Sequence, residues 1–173
     1  MKNFLLFSLS MLLSLGLSAQ IDEALLGHFK DLSGSLEAEQ LEKICSQSAQ
    51  ALPASEVAKL GLGYIPAGTN YFPLGKIALK KGWVLLYASK KEAGKMITVD
   101  AVSFKKKGAK VESLSYLLQV GEDFGQNLGG RLSYKNELLH FEQESVDSKT
   151  GKRSVKTSIY QKDKNRLDFK ERF

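Results

Sequence analysis

Residues 96–120 read MITVDAVSFKKKGAKVESLSYLLQV, and their period decides the fold. Residues 96–104 form an apolar strand interrupted by one acid, Asp100. Lys105-Lys106-Lys107-Gly108 makes a turn, and residues 111–120 alternate, with Leu114, Tyr116, Leu118 and Val120 on one side. Successive side chains of a strand point to opposite faces, so a period of two predicts half-buried β-structure. A turn this short joins antiparallel strands, because a parallel connection needs about a dozen residues or more.

The same rhythm extends in both directions. Upstream, Ile77 and Leu79 share one face of a strand, Lys81-Gly82 turns, and residues 83–88 are apolar on both faces, as a central strand requires. A polar turn containing Gly94 follows. Downstream, a Gly-rich loop covers residues 121–130, and residues 131–134 and 138–146 form a hairpin through Asn136-Glu137. Turns at 147–152 and 163–165 separate two further strands, 153–161 and 166–173. No gap is long enough for a crossover helix.

Towards the N-terminus the period becomes helical. Residues 21–32 place Ile21, Ala24, Leu25, His28, Phe29 and Leu32 on one face at spacings of three and four. Ser35 is positioned to cap a second helix, about 36–52, with Leu41, Ile44, Cys45, Ser48 and Leu52 as its buried stripe and Pro53 as its stop. Ser55 caps a short third helix, 56–60, closed by Gly61. Residues 61–73 read as a loop with exposed aromatics, Tyr64, Tyr71 and Phe72. The expected class is α+β: helices over 21–60, then an antiparallel β-meander of about seven to eight strands over 74–173.

Residues 1–19 have the three parts of a secretory signal peptide: Lys2, an apolar run from Phe4 to Leu17, and the small residues Ser18 and Ala19. The run falls short of the roughly 20 residues of a membrane span. Cleavage after Ala19 leaves Gln20 first, with residues 20–173 as a single domain and no membrane span after removal of the signal. Gln20 stands where a lipoprotein would carry the cysteine to be acylated, so no lipid anchor is expected. The expected destination is a bacterial periplasm or the medium.

Cys45 is the only cysteine, which excludes an internal disulfide and a Cys-rich zinc site. On the apolar face of its helix it reads as a small buried hydrophobe. The formal charge of +6 is uneven. Residues 20–60 hold three bases and seven acids, and residues 61–173 hold 21 bases and 12 acids. Docking of the acidic helices on the basic sheet is the simplest use of this asymmetry, and attraction to anionic polymers or headgroups is a second.

His140, Glu142 and Glu144 share one face of a strand and have the chemistry of metal ligands, yet Leu139 and Phe141 claim the core, which turns the polar trio to water. His28, on a helix's apolar side, is expected to be a packed core histidine. Asp100 alternates outward beside Thr98, because an unpaired buried carboxylate is expensive. Gly61-Leu62-Gly63 and the glycines of 121–130 do not join a strand to a helix, as a phosphate loop must. Lys90-Lys91 and Lys105-Lys106-Lys107 are solubilising turns rather than a nucleic-acid surface. No serine sits in Gly-x-Ser-x-Gly. The terminal Leu167, Phe169 and Phe173 suggest an outer-membrane barrel strand, but Glu171 and the lysines of other strands break the lipid-facing band. Phe169 and Phe173 then belong to sheet packing.

These features specify no catalytic, cofactor-binding or metal residue and no cofactor. The expectation is an exported binding or interaction module, with another envelope protein or a polysaccharide as the partner class and no nucleic acid. An exposed aromatic patch around Tyr64, Tyr71 and Phe72 is its natural surface. The alternative is a carrier of a small apolar ligand, with Trp83, Tyr87, Tyr116 and Leu118 lining a sheet cavity. The third class is an envelope hydrolase using scattered carboxylates.

Overall fold

The structure is a computed structural model that describes residues 21–164 and 166–173. Residues 1–19, expected to be a signal peptide, therefore lie outside the described residues. The elements are α1 (Glu23–Gly27), β1 (Gly34–Glu37), α2 (Ala38–Ser46), a 3₁₀ turn (Ser48–Gln50), α3 (Ala54–Lys59), and then β2 (Thr69–Leu79), β3 (Gly82–Lys91), β4 (Ile97–Lys105), β5 (Lys110–Asp123), β6 (Gln126–Lys135), β7 (Leu138–Asp147), β8 (Arg153–Lys162) and β9 (Leu167–Arg172). The chain is α+β: short helices, then strands β2 to β9 as an unbroken antiparallel meander, with β1 added against β6. No helix among the described residues is long and apolar enough to cross a membrane.

Strand β5 is the corner of the sheet. Its first part pairs with β4 through residue 120, and only Gly121–Asp123 pairs with β6. Beyond that point β6 parts from β5 and takes β1 as its neighbour, Leu36 opposite Leu132. The meander curls until its first and last hairpins touch, the Lys81 N–H donating to the Lys164 carbonyl at 3.0 Å. The apolar faces of the two halves meet inside: Ile77, Val84, Leu86 and Val99 from one, Leu132, Leu139, Phe141 and Leu167 from the other, with Leu41 and Cys45 of α2 between them.

Where β5 and β6 part, a side chain substitutes for a strand. Gln143 of β7 reaches the β5 backbone at Gln119, its Oε1 accepting the Gln119 N–H at 2.7 Å and its Nε2 donating to the Gln119 carbonyl at 2.9 Å. The same amide donates to the Gly129 carbonyl at 2.9 Å. Gly130 lies directly opposite Gln143 in the ladder. A Cβ on Gly130 would fall 2.0 Å from the Glu142 carbonyl oxygen, so only glycine lets the strands approach this closely.

The N-terminal segment is laced around the β2 edge. From α1, where Asp22 Oδ1 accepts the Leu25 N–H at 2.9 Å, Ile21, Leu25 and Phe29 pack on the outer face of β2–β4 with Leu85, Val102 and Phe104. Residues 30–32 then run along β2, with Lys76 N–H donating to Lys30 O and Leu32 N–H to Lys76 O, which delivers Leu32 to the inner face. Helix α2 stays inside, and Leu52, whose N–H donates to Tyr71 O at 2.7 Å, returns the chain to the outer face, where α3 buries Val57.

This lacing explains why the helices are shorter than their periodicity suggests. A helix over 21–32 would hold Phe29 and Leu32 on one stripe, whereas the two belong to opposite faces of the sheet, so α1 ends at Gly27 and His28 is exposed rather than packed in the core. Helix α2 stops at Ser46 for the same reason, since Leu41 and Leu52 serve different faces. Its first turn is closed by Gln40 Oε1 on the Glu37 N–H, 2.8 Å, not by Ser35, which is in β1. Strand β2 begins at Thr69, so Tyr71 and Phe72 are buried sheet residues and only Tyr64 of the expected aromatic patch is exposed. Pro73 is accommodated by a bulge on this edge strand. The ion pairs among the described residues join Lys59 to Asp22 and Glu56 within the helical segment and pair strands or turns within the sheet, while the sheet lysines Lys76 and Lys110 meet the N-terminal segment through the carbonyls of Leu26 and Gly61.

Candidate functional site

A cleft of about 440 Å³ opens on the outer face of β2–β5, beside the helices and beneath the loop that follows α3. Its floor is made by side chains that alternate onto this face. Tyr71 of β2 and Tyr87 of β3 stand with ring centroids 6.0 Å apart, and Asp100 of β4 lies directly opposite Tyr87 in the ladder. Ser89 and Thr98, also paired, extend the floor. Leu62, Tyr64 and Pro66 of the loop make one wall, and Lys110, Ser113, Ser115 and Tyr116 of β5 make the other. Lys110 fixes the loop to β5, its Nζ donating to the Gly61 carbonyl at 2.6 Å.

The β5 wall is shaped by an irregularity. Ala101 pairs with Leu114 and Val99 with Leu118, so Asp100 alone faces residues 115–117. Tyr116 takes up the excess in the left-handed region, φ 56°. Its N–H, turned out of the ladder, is accepted by Asp100 Oδ1 at 2.7 Å. A non-glycine residue held there stores strain of about 1–3 kcal/mol, and such strain gathers at functional sites. The bulge pushes the Tyr116 ring over the cleft, 73% exposed, while Leu117 and Leu118 both enter the core. The expected alternation of Leu114, Tyr116 and Leu118 on one face is therefore wrong at Tyr116.

Asp100 does share its face with Thr98, but that face is roofed at this point, and Asp100 is half-buried. Burial pushes its carboxyl above the usual range, and the hydrogen bond from Tyr116 opposes the shift. Tyr71 and Tyr87 are pushed up as well, by burial first and then by the Asp100 charge. The floor is thus a low-dielectric surface in which one carboxyl sits among phenols.

The other sequence candidates lie elsewhere. His140, Glu142 and Glu144 stay on the outer face of β7, where Glu142 pairs with Arg131 at 3.1 Å and Glu144 with Arg153 at 2.6 Å. Among the described residues no group of three potential metal ligands converges. Trp83 lies beneath Lys76, whose Nζ is 5.8 Å from the ring centroid, and Leu118 is in the inner core, so of the four residues expected to line a cavity only Tyr87 and Tyr116 line the cleft. Phe169 packs edge-on against Tyr160 at 5.5 Å but is half exposed, and Phe173 is 70% exposed, so neither is enclosed in sheet packing. A wider hollow of about 570 Å³ near Lys90 and Glu122 offers no aromatic face.

Cys45 is buried, and burial pushes its thiol up to about 11 against the pull of Lys90. The thiolate is the reactive form. In native protein at pH 8, alkylation of Cys45 is expected to run about a hundredfold slower than in guanidinium. Equal rates by mass spectrometry would contradict the buried placement.

The sequence marks Asp100 as a candidate but does not show its roof, because the residues that cover it, Leu62, Tyr64 and Pro66 of the loop after α3, lie far upstream in the chain. The available signal is the small polar pair Ser113 and Ser115 set before Tyr116, with Ser115 across from the one acid of β4. No family model matches this chain, and neither the curated proteins nor the solved structures include one significantly similar to it.

Proposed function

We propose that this chain is an exported, non-catalytic binding protein of the bacterial envelope that holds its ligand in the tyrosine cleft. The observation that carries this reading is Tyr116, strained and pinned by Asp100 so that its ring stands exposed over a concave floor. Folding gains nothing from exposing that ring, whereas a ligand would cover it. Catalysis is less favoured, because Asp100 is the one carboxylate lining the cleft and neither histidine lines it, which leaves no carboxylate pair for glycoside-type hydrolysis, and Lys110 is engaged with the Gly61 carbonyl. An apolar cargo is less favoured because apolar residues already fill both faces of β2–β4 and the cleft lining is rich in hydroxyls. Export is supported by the signal pattern of residues 1–19.

Native mass spectrometry of protein mixed with a small-molecule and oligosaccharide extract of its own envelope tests both halves of the proposal. A discrete added mass is expected on the wild type and not on a Tyr64→Ala/Tyr116→Gly double variant. The wild-type chain recovered from cells should begin at Gln20. The same adduct on both proteins, or none on either, would remove the cleft from consideration, and retention of residues 1–19 would remove export.

A further inference from the structure

Building on the binding reading, we infer that the cleft's ligand is a neutral saccharide, seated with a sugar face on the rings of Tyr64 and Tyr116 and its hydroxyls directed to Asp100. Three features of the cleft lead there. The first is its polar inventory. Four tyrosines, three serines and Thr98 bring eight hydroxyls to one hollow, each able to donate and accept. A ligand that is itself polyhydroxylated is the class that can match such a lining. An apolar ligand would strip water from Asp100 and the serines and return no hydrogen bond, at a cost of about 1–3 kcal/mol for each buried group left unmet.

The second is the aromatic rim. Tyr64 is 77% exposed and Tyr116 73% exposed, one from each wall. A free aromatic face beside water suits a ligand with an apolar C–H surface and polar edges, which is the make-up of a pyranose ring. The hollow lies within the roughly 300–1,000 Å³ typical of small-ligand sites.

The third is charge. Asp100 and Lys110 give the lining one acid and one base, so neither a cation nor an anion gains from the pair. The whole chain carries +6, with its excess of bases in the sheet segment, which repels an organic cation on approach. A neutral ligand incurs neither penalty, and two neighbouring sugar hydroxyls can donate to the carboxylate together.

The titratable groups that line the cleft with Asp100 are Tyr71 from β2, Tyr87 from β3, Tyr116 and Lys110 from β5, and Tyr64 from the loop. Burial raises its pKa. Affinity that depends on the carboxylate as acceptor is therefore full at high pH and falls as pH descends through that raised value.

Calorimetry and a glycan array with the mature chain test the ligand class, using neutral oligosaccharides of glucose, N-acetylglucosamine, mannose and galactose beside choline, spermidine and a fatty acid. A neutral saccharide should bind. Tyr64→Ala and Tyr116→Gly should each weaken it at least tenfold, and Asp100→Asn should remove the loss of affinity at low pH. Tyr116→Gly also relaxes the left-handed backbone, so it should fold at least as well as the wild type, and its loss of binding cannot be put down to unfolding. Binding of choline, spermidine or the fatty acid in place of sugars overturns the saccharide while keeping the cleft. Saccharide binding that survives all three variants overturns the cleft itself. No binding to any probe, alongside a cleft-dependent adduct from envelope extract, overturns the saccharide alone.

Discussion

Gly130→Val is expected to abolish folding or to lower stability by more than about 4 kcal/mol, the range reserved for backbone conflicts and deep core defects. The added Cβ would meet the Glu142 carbonyl oxygen at 2.0 Å and Leu118 Cδ1 at 2.9 Å, and φ at this position is +144°. The nearest obstacle is backbone in the neighbouring strand, so no rotamer change relieves it. The adjacent Gly129 supplies the control: a Cβ there has nothing within 4 Å, and Gly129→Ala should cost less than about 1 kcal/mol. Urea unfolding followed by circular dichroism reads both. Equal effects at the two positions would mean that β6 and β7 do not approach as described.

Phe141→Ala is expected to cost about 3–5 kcal/mol, as for other buried phenylalanines. Phe141 projects from β7 into the space between the halves of the sheet, fully buried and edge-on to Tyr160 at 5.8 Å. Removing its ring leaves a void bordered by two sheets that are joined to each other at β5 and at the touching hairpins, so neither can move in to fill it. The urea midpoint should fall with no change in slope. A cost under about 1.5 kcal/mol would show that the halves are loosely packed. Together the two substitutions probe the same seam, one through its backbone and one through its side chains.

What was legible in the sequence was whatever short-range pattern decides. The meander announces itself because each strand's partner is its neighbour in the chain and each turn carries its own signal, Lys81-Gly82 and Asn136-Glu137 among them. Strand β1 was not legible. Its four residues sit between helical-looking segments, and the strand that makes it a strand is β6, far along the chain. The helix lengths were misjudged because a stripe at spacings of three and four does not say whether its members serve one face or two, and here Phe29 and Leu32 serve two. The cleft was half legible. Asp100 stands out as an acid in an apolar strand, but the alternation that turns it outward cannot show that the loop after α3 roofs that face. Tyr116 appeared to be an ordinary alternating residue, since a bulge at a tyrosine carries no glycine to advertise it.

The pairing of β1 with β6 also bears on the order in which the molecule assembles. Synthesis runs from the N-terminus, so residues 34–37 exist long before residues 131–134 are made. Each hairpin from β2 onward can close as soon as its second strand is complete, and such local closures are fast. Strand β1 must wait, and with it the docking of α2 into the space that β6, β7 and β9 help to enclose. Residues 34–46 appear before any strand of the meander yet are among the last to find their place, and through that interval the apolar stripe of α2 has no completed core to enter.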